Sequence, residues 1–388
     1  MANTKLAVAK KAKFDEFYTQ YEDIQKEVNA YIEYNPNVFK DKTILLPCDD
    51  PEWSNFTKFF AQNFEKFGLK KLISTSYAAE SKNSNAPYQM TMFEMESPKF
   101  DNKKTKSHGK IFTLTKDNNK SSKIYIEDLE WDYLEGDGDF RSYEIKNLLN
   151  EVDIIITNPP FSLFREFVAW LVDNNKKFLI IGNKNCVTYK EVFPLIKDNK
   201  MWSGKTEWSG GLWFETKNPF DVDLVLNGVN MKNVSSTWFT NLEHGRRHQP
   251  IKLMTMADNL KYSKHQQIKL QKYPRYFNYD AIDVSFTDSI PNDYNGVMGV
   301  PITFLDKYNP EQFEIIALGI VGSCEFNSER KMEILDKKGN GTGKFTVNAK
   351  GTLYKLYNPL ADRLPAFKDV ETGELYASIY ARILIKRR

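Results

Sequence analysis

At 388 residues, with 41% hydrophobic and 27% charged side chains, the chain is long and apolar enough to bury one large core or two of ordinary size. No window nears the ~18 consecutive apolar residues of a membrane span, and "MANTKLAVAKKAKF" lacks a signal peptide's apolar stretch, so a membrane protein is excluded and the cytoplasm is the expected compartment. A net charge of only +3 announces no polyanionic partner, and three dispersed cysteines, Cys48, Cys186 and Cys324, exclude a disulfide framework; no metal site is expected, since His244 and His248 stand at helical spacing without an HExxH pattern or a nearby cysteine.

In chain order, the spacing of Phe, Tyr, Ile and Val among charges in "FDEFYTQYEDIQKEVNAYI" predicts one amphipathic helix, within a 1–40 segment that covers a sheet. "KTILLPCDD" reads as a buried strand over 43–48 ending in two carboxylates, and "SNFTKFFAQNFEKF" as a helix capped by Ser54. "KKLISTSYA" is a second strand, 80–122 an Asn-, Ser- and Lys-rich excursion holding one hairpin, "SKIYIEDL" a third strand, and "LEGDGDFRS" an acidic glycine loop. "YEIKNLLNEV" is helical, "VDIIIT" the fourth strand, "SLFREFVAWLVDNN" a helix capped by Ser162, "KKFLIIGN" the fifth strand and "TYKEVFPLIKDN" a further helix. This alternation from 43 to 200 predicts an α/β fold of Rossmann-like, doubly wound form. Its sheet is mostly parallel with helices on both faces, and ligands bind beyond the carboxyl ends of the strands. Short tryptophan-rich strands follow ("MWSG", "GLWFET", "STWFT"), then segments broken by Pro, Asn and Gly. The change of texture separates a 41–255 catalytic domain from a smaller, irregular α+β domain at 256–388.

"VDIIITNPPFS" ends a buried strand on Asn158, Pro159, Pro160 and Phe161. An exocyclic aromatic amine is a poor nucleophile until acceptors hold both its N–H groups. The Asn158 side-chain oxygen and the Pro159 carbonyl supply two, and the prolines fix the turn that aims them at one point. Acidity develops only as the new bond forms, so no strong base is needed beforehand. Phe161 would stack on the ring, a contact worth about 1–3 kcal/mol per base. A structural Asn-Pro-Pro loop fits the four residues alone; the preceding strand and following helix favour the catalytic reading. A methyl donor needs a neighbouring site, and "LPCDDPEWSNF" offers Pro47, Cys48, Asp49 and Asp50 after the first strand, with Ser54 and Asn55 opening a helix whose amides receive an anionic group. Ser76 lies past the second strand. Asp137 and Asp139 in "GDGDF" could hold a purine amine or form a plain glycine turn.

These residues carry a resemblance to the EcoRI family of adenine-specific DNA methyltransferases. It spans most of the chain, through "LPCDDPEWSNF", "LEGDGDFRS", "DIIITNPPFSLFREF", "TYKEVFPLIKDNKMWSG", "STWFTNLEHGRR", "NYDAIDV" and "GVMGVPITFLDKYNPEQFEIIALG". The resemblance implies a methyltransferase fold, transfer of methyl from S-adenosyl-L-methionine to adenine N6, and a downstream segment that reads double-stranded DNA. It also implies a separately acting restriction endonuclease as a potential partner, with the enzyme itself a monomer on DNA. The glycine-rich donor loop of many methyltransferases is absent, replaced by Asp49-Asp50-Pro51, and "ISTSY" offers only hydroxyls where a ribose-holding acid usually stands. The cations clustered with aromatics in "GRRHQPIK", "KLQKYPRYF" and "ILIKRR" make Arg246, Arg247, Lys272 and Arg275 candidates for DNA contact, joined by Lys344. "GNGTGK" fails as a phosphate loop on spacing and on Phe345, which follows where Ser or Thr is required. RNA or protein-glutamine methylation through the same chemistry, and an inactive DNA-binding relative, are the rival readings.

Overall fold

The computed structural model describes residues 18–78, 99–116, 130–216, 219–326, 330–347 and 351–388. It is a mixed α/β structure in two compact units, the first comprising Met1–Val192 and Lys200–Gly245, the second Phe193–Asn199 and Arg246–Arg388. Among the described residues no helix is long and apolar enough to cross a membrane.

The first unit opens with a short strand β1 (Tyr18–Thr19) and helix α1 (Tyr21–Tyr34). The helix therefore begins later than its periodicity implied: Tyr18 and Thr19 are extended and satisfy their backbone against Glu215 and Phe214. Strand β2 (Thr43–Leu46) is buried throughout, and α2 (Asn55–Gln62) starts as expected, with the Ser54 hydroxyl accepting from Phe56 N–H. Then come β3 (Lys71–Thr75), β4 (Lys110–Thr115), β5 (Trp131–Tyr133), α3 (Tyr143–Leu148), β6 (Ile154–Thr157), α4 (Phe164–Asp173) and β7 (Lys177–Asn183). After them run β8 (Trp202–Ser203), β9 (Leu212–Glu215), β10 (Leu224–Leu226), β11 (Val229–Val234) and β12 (Ser236–Thr240).

Eight of these strands form one sheet in the order β5-β4-β3-β2-β6-β7-β12-β8. Its centre, β3-β2-β6-β7, is parallel, and the continuous apolar runs of β2, β6 and β7 are those of strands buried on both faces. Ile24, Val28, Tyr31, Phe56, Phe59 and Phe60 of the two N-terminal helices pack with Ile44, Ile156, Leu179 and Trp238 on one face. On the other, Phe164 of α4 sits against Gly182 and Phe239, the residues adjacent in sequence to Ile181 and Trp238.

Three local expectations change. The sheet is antiparallel at both margins, because β4 lies in the stretch read as an excursion and returns against β3; the strand expected at "SKIYIEDL" falls outside the described residues, as does most of the expected hairpin. Helix α4 starts at Phe164 rather than after Ser162, since Pro160 leads into a 3-10 turn over Phe161–Leu163. The helix expected over "TYKEVFPLIKDN" is only Phe193–Lys197, because Pro194 is tolerated only in a first turn.

In the second unit, helices α5 (Met256–Tyr262) and α6 (Gln266–Gln271) precede two antiparallel-rich sheets. One joins Ile282–Asp283, Met298–Pro301, Phe313–Leu318 and Arg382–Arg387; the other joins Met332–Leu335, Gly341–Thr346, Leu353–Leu356, Phe367–Asp369 and Leu375–Ile379. A buried Asp283 carboxylate accepts from Tyr276 Oη at 2.7 Å and Arg382 Nε at 2.9 Å, which ties Arg382 of the final strand to the segment around 276–283.

Candidate active site

Chain order and strand order reverse at β2, which neighbours β3 on one side and β6 on the other. Loops leaving such a pair diverge to opposite faces and open a crevice at the carboxyl ends, where α/β sheets bind ligands. Asn158 to Phe161 leave β6 on this edge. Asn158 is half-buried, Pro159 buried, and Pro160 extended at φ −55°, ψ 123° before the tight turn, in which Leu163 N–H donates to the Pro160 carbonyl. Phe161 is half-buried, its ring edge-on to the fully buried Phe214 with centroids 6.5 Å apart, so one side of the loop after β6 is anchored in the core.

The loop after β2 lies beside it. Pro47 is buried, its carbonyl accepting from Thr75 Oγ1 at 3.3 Å, and Cys48 is half-buried. Asp49 is 5% exposed and fixed at every polar atom. Its N–H donates to the Thr75 carbonyl and its carbonyl accepts from Ser74 Oγ; its Oδ1 accepts from Ser54 Oγ and its Oδ2 from Thr157 Oγ1, both at 2.6 Å. Burial pushes this carboxyl up from 3.8 to about 7, against the opposing effect of the two hydroxyl bonds. Asp49 therefore faces inward, whereas Asp50 remains half-buried and accepts Glu52 N–H on Oδ1. Asn55 does not face a ligand either: its Nδ2 donates to the Thr19 carbonyl and holds the first strand in place.

Past β3, Ser76 is buried and pairs with Lys110 through both N–H and Oγ. Its carbonyl sits against Gly109 and Gly138, where a Cβ on either glycine would collide with it, and Gly138 also holds φ at +80°. Asp137 lies next to this pinch, its carbonyl accepting Ala78 N–H at 2.7 Å and its Oδ1 accepting Asp139 N–H. Asp139 is clamped by Arg141 through Nε at 2.9 Å and Nη2 at 2.6 Å. The structure thus brings Ser76 and Asp137 together, and Asp49 and Ser54 against the base of the loop after β6, while Asp139 and Asn55 serve their own neighbourhoods.

Comparison with known proteins decides what this constellation belongs to. The family described as "Adenine-specific methyltransferase EcoRI" matches residues 5–388. The chain is 42% identical to the type II methyltransferase M.EcoRI of Escherichia coli over 340 residues, covering 84% of this chain and 94% of that protein. It is 37% identical over 315 residues to M.MpnI of Mycoplasma pneumoniae, which spans 79% of this chain and 83% of the relative. M.MgeORF184P of Mycoplasma genitalium is 36% identical over 315 residues, 79% of this chain and 84% of its own length. The chain belongs to the EcoRI family of adenine-specific methyltransferases. It is accordingly a DNA adenine methyltransferase and uses a methyl donor. No solved structure matches it.

As a member of the EcoRI family it needs groups that contact DNA, and the five cations offered by sequence differ in kind. Arg247 is 7% exposed and donates from Nη2 to Asn199 Oδ1 at 2.9 Å, so it serves the interior of the second unit, whereas Arg246 is half-buried and pairs with Asp306 at 3.0 Å. Lys272 is exposed at the end of α6 with φ +57°, and Arg275 is exposed and ion-paired with Asp280. Lys344 is exposed on a β-hairpin strand, which is what "GNGTGK" forms in place of a phosphate loop and helix. Three residues of this family member's site escaped the sequence reading. Thr157 was legible only as the last residue of an apolar strand. Lys110 is 3% exposed, pairs with Glu52 and lies 4.6 Å from the Trp131 ring centroid, but sat in the unread excursion. Arg141, bridging Asp139 and Glu166, had no local signal.

Proposed function

We propose that this enzyme transfers a methyl group from S-adenosyl-L-methionine to N6 of a flipped-out adenine within a specific double-stranded DNA sequence. The observation that carries the reading is the emergence of Asn158-Pro159-Pro160-Phe161 from β6 at the reversal of strand order, beside the Asp49-Asp50 loop. On this reading the eight-stranded sheet is the core of a Rossmann-like catalytic domain over residues 41–255, and residues 256–388 form the recognition domain. Asn158 Oδ1 and the Pro159 carbonyl accept the two N–H groups of the target amine, and Phe161 stacks on its ring. Extrusion of the base costs a few kcal/mol, since an amine inside a duplex cannot reach this loop.

The residues fit the donor. Half-buried Asp50 and Asp137 each place Oδ1 on a turn amide, with no cation paired to either among the described residues, and can meet a cationic group, while Cys48 and Pro47 offer an apolar wall. When bound, S-adenosyl-L-methionine supplies an electrophilic methyl group on a sulfonium. Asn158 holds the amine as it rehybridises and gains acidity, and water is kept from it by Phe161 and Phe214. Lys272, Arg275 and Lys344 contact phosphates, and action as a monomer in the cytoplasm, with or without a separate endonuclease, completes the reading. The test is incorporation of labelled methyl from S-adenosyl-L-methionine into duplex DNA, RNA or protein, followed by mapping of the modified base. Label in N6-methyladenine at one recurring sequence supports it; label in RNA or protein alone overturns it.

A further inference from the structure

We infer that Asp49 is a positioning residue and not a donor ligand: its carboxyl group is a clasp that fastens the loop after β2 to Thr157 and so fixes where Asn158 stands. The inference rests on the reading of Asn158 as the residue that holds the amine. Thr157 is the last residue of β6, fully buried, and its hydroxyl donates to Asp49 Oδ2 at 2.6 Å; the next residue along the chain is Asn158. The other oxygen, Oδ1, accepts from Ser54, the residue that caps α2. One carboxyl group thus joins the first turn of a helix, the end of β2 and the end of β6 across the reversal of strand order.

Its backbone is as constrained as its side chain. Asp49 N–H and carbonyl are held by Thr75 and Ser74, and Ser74 Oγ lies 2.7 Å from Thr57 Oγ1 on α2, so the clasp is backed by β3 and by the helix it caps. No cation pairs with Asp49 among the described residues. A carboxyl group buried among hydroxyls, with no opposite charge, is costly to keep, and two short bonds aimed along the strand ends are what it provides in return. Asp50, with the same side chain one residue later, stays half-exposed and its side chain makes only a turn contact among the described residues, which leaves it to the ligand side. The two adjacent carboxylates therefore divide the work, one holding the frame and one facing the crevice.

Thr157→Val removes the hydroxyl and keeps the shape, Thr157→Ser keeps the hydroxyl, and Asp49→Asn keeps the shape of the carboxyl group. Each is purified, checked for a parent-like thermal transition, and measured for kcat, for KM of donor and DNA, and for donor affinity by calorimetry without DNA. Thr157→Val and Asp49→Asn should each lower kcat about tenfold or more, as displacement of a reacting group does, with donor affinity within about twofold of parent. Thr157→Ser should recover most of kcat, and the double variant should be no slower than the slower single one, because both break one clasp. The clasp is overturned if Asp49→Asn weakens donor binding while Thr157→Val changes nothing, or if the two effects multiply. If Asp49→Asn does not fold, the Val and Ser pair at 157 decides alone. A parent enzyme that labels no adenine sinks the reading and the clasp with it; a parent rate that survives Thr157→Val sinks the clasp alone.

Discussion

The buried Asp49 carboxyl ties the stability of the first unit to pH with a definite sign. Burial raises it to about 7 in the folded chain from 3.8, outweighing the hydrogen bonds from Ser54 and Thr157 that favour the ion, and nearby Asp50 adds to the rise. The folded protein therefore keeps a proton that the unfolded chain gives up above about pH 4, so the contribution is full below about pH 4 and is lost as pH climbs towards 7. Between about pH 5 and pH 8 the difference in proton binding amounts to a few kcal/mol. Asp49→Asn removes this ionisation, so parent should lose a few kcal/mol more than the variant over that interval. All seven tryptophans lie in the first unit, so urea unfolding followed by tryptophan fluorescence reports that unit alone. Parallel pH dependences in the two proteins would refute the argument, because they would mean that Asp49 ionises as readily in the folded chain as in the unfolded one.

Phe161→Ala should weaken capture of the target base while Phe161→Tyr and Phe161→Trp keep part of the activity, since stacking costs about 1–3 kcal/mol to remove; KM for DNA across the three variants checks it, and equal losses would deny the stacking role. Replacing Lys272 and Arg275 together should lower the slope of log DNA affinity against log salt by about two and leave donor affinity unchanged, a pair of titrations in which a collapsed donor affinity would contradict the assignment of the second unit. Gly138→Ala should cost stability and donor affinity together, because a side chain at φ +80° meets the Ser76 carbonyl; calorimetry on the purified variant checks both.

Much of this site was legible because its chemistry is local in sequence. Ile154–Ile156 is continuously apolar and two prolines follow Thr157 and Asn158, so both the strand and the place where it stops were readable, and Ser54 announced its helix by the residue type that caps best. What sequence could not supply is convergence. Asp49 read as an open acid because nothing in "LPCDDPEW" reveals that Thr157, 108 positions later, would meet it and that the carboxyl group would be buried. Lys110–Thr115 alternates buried and half-buried residues but stands in a polar region, and its antiparallel return against β3 depends on pairing rather than on propensity. Arg247 read as a surface cation for the same reason: only the fold shows it buried against Asn199.

The central claim is that Asn158 holds the amine that receives the methyl group. The most direct measurement is single-turnover methyl transfer to a duplex containing the mapped sequence, with parent and Asn158→Ala each saturated with donor. The account predicts N6-methyladenine from the parent and a rate at least about a hundredfold lower from the variant, with donor affinity by calorimetry unchanged, because the lost acceptor acts on the transition state. A variant that methylates adenine at the parent rate would contradict it.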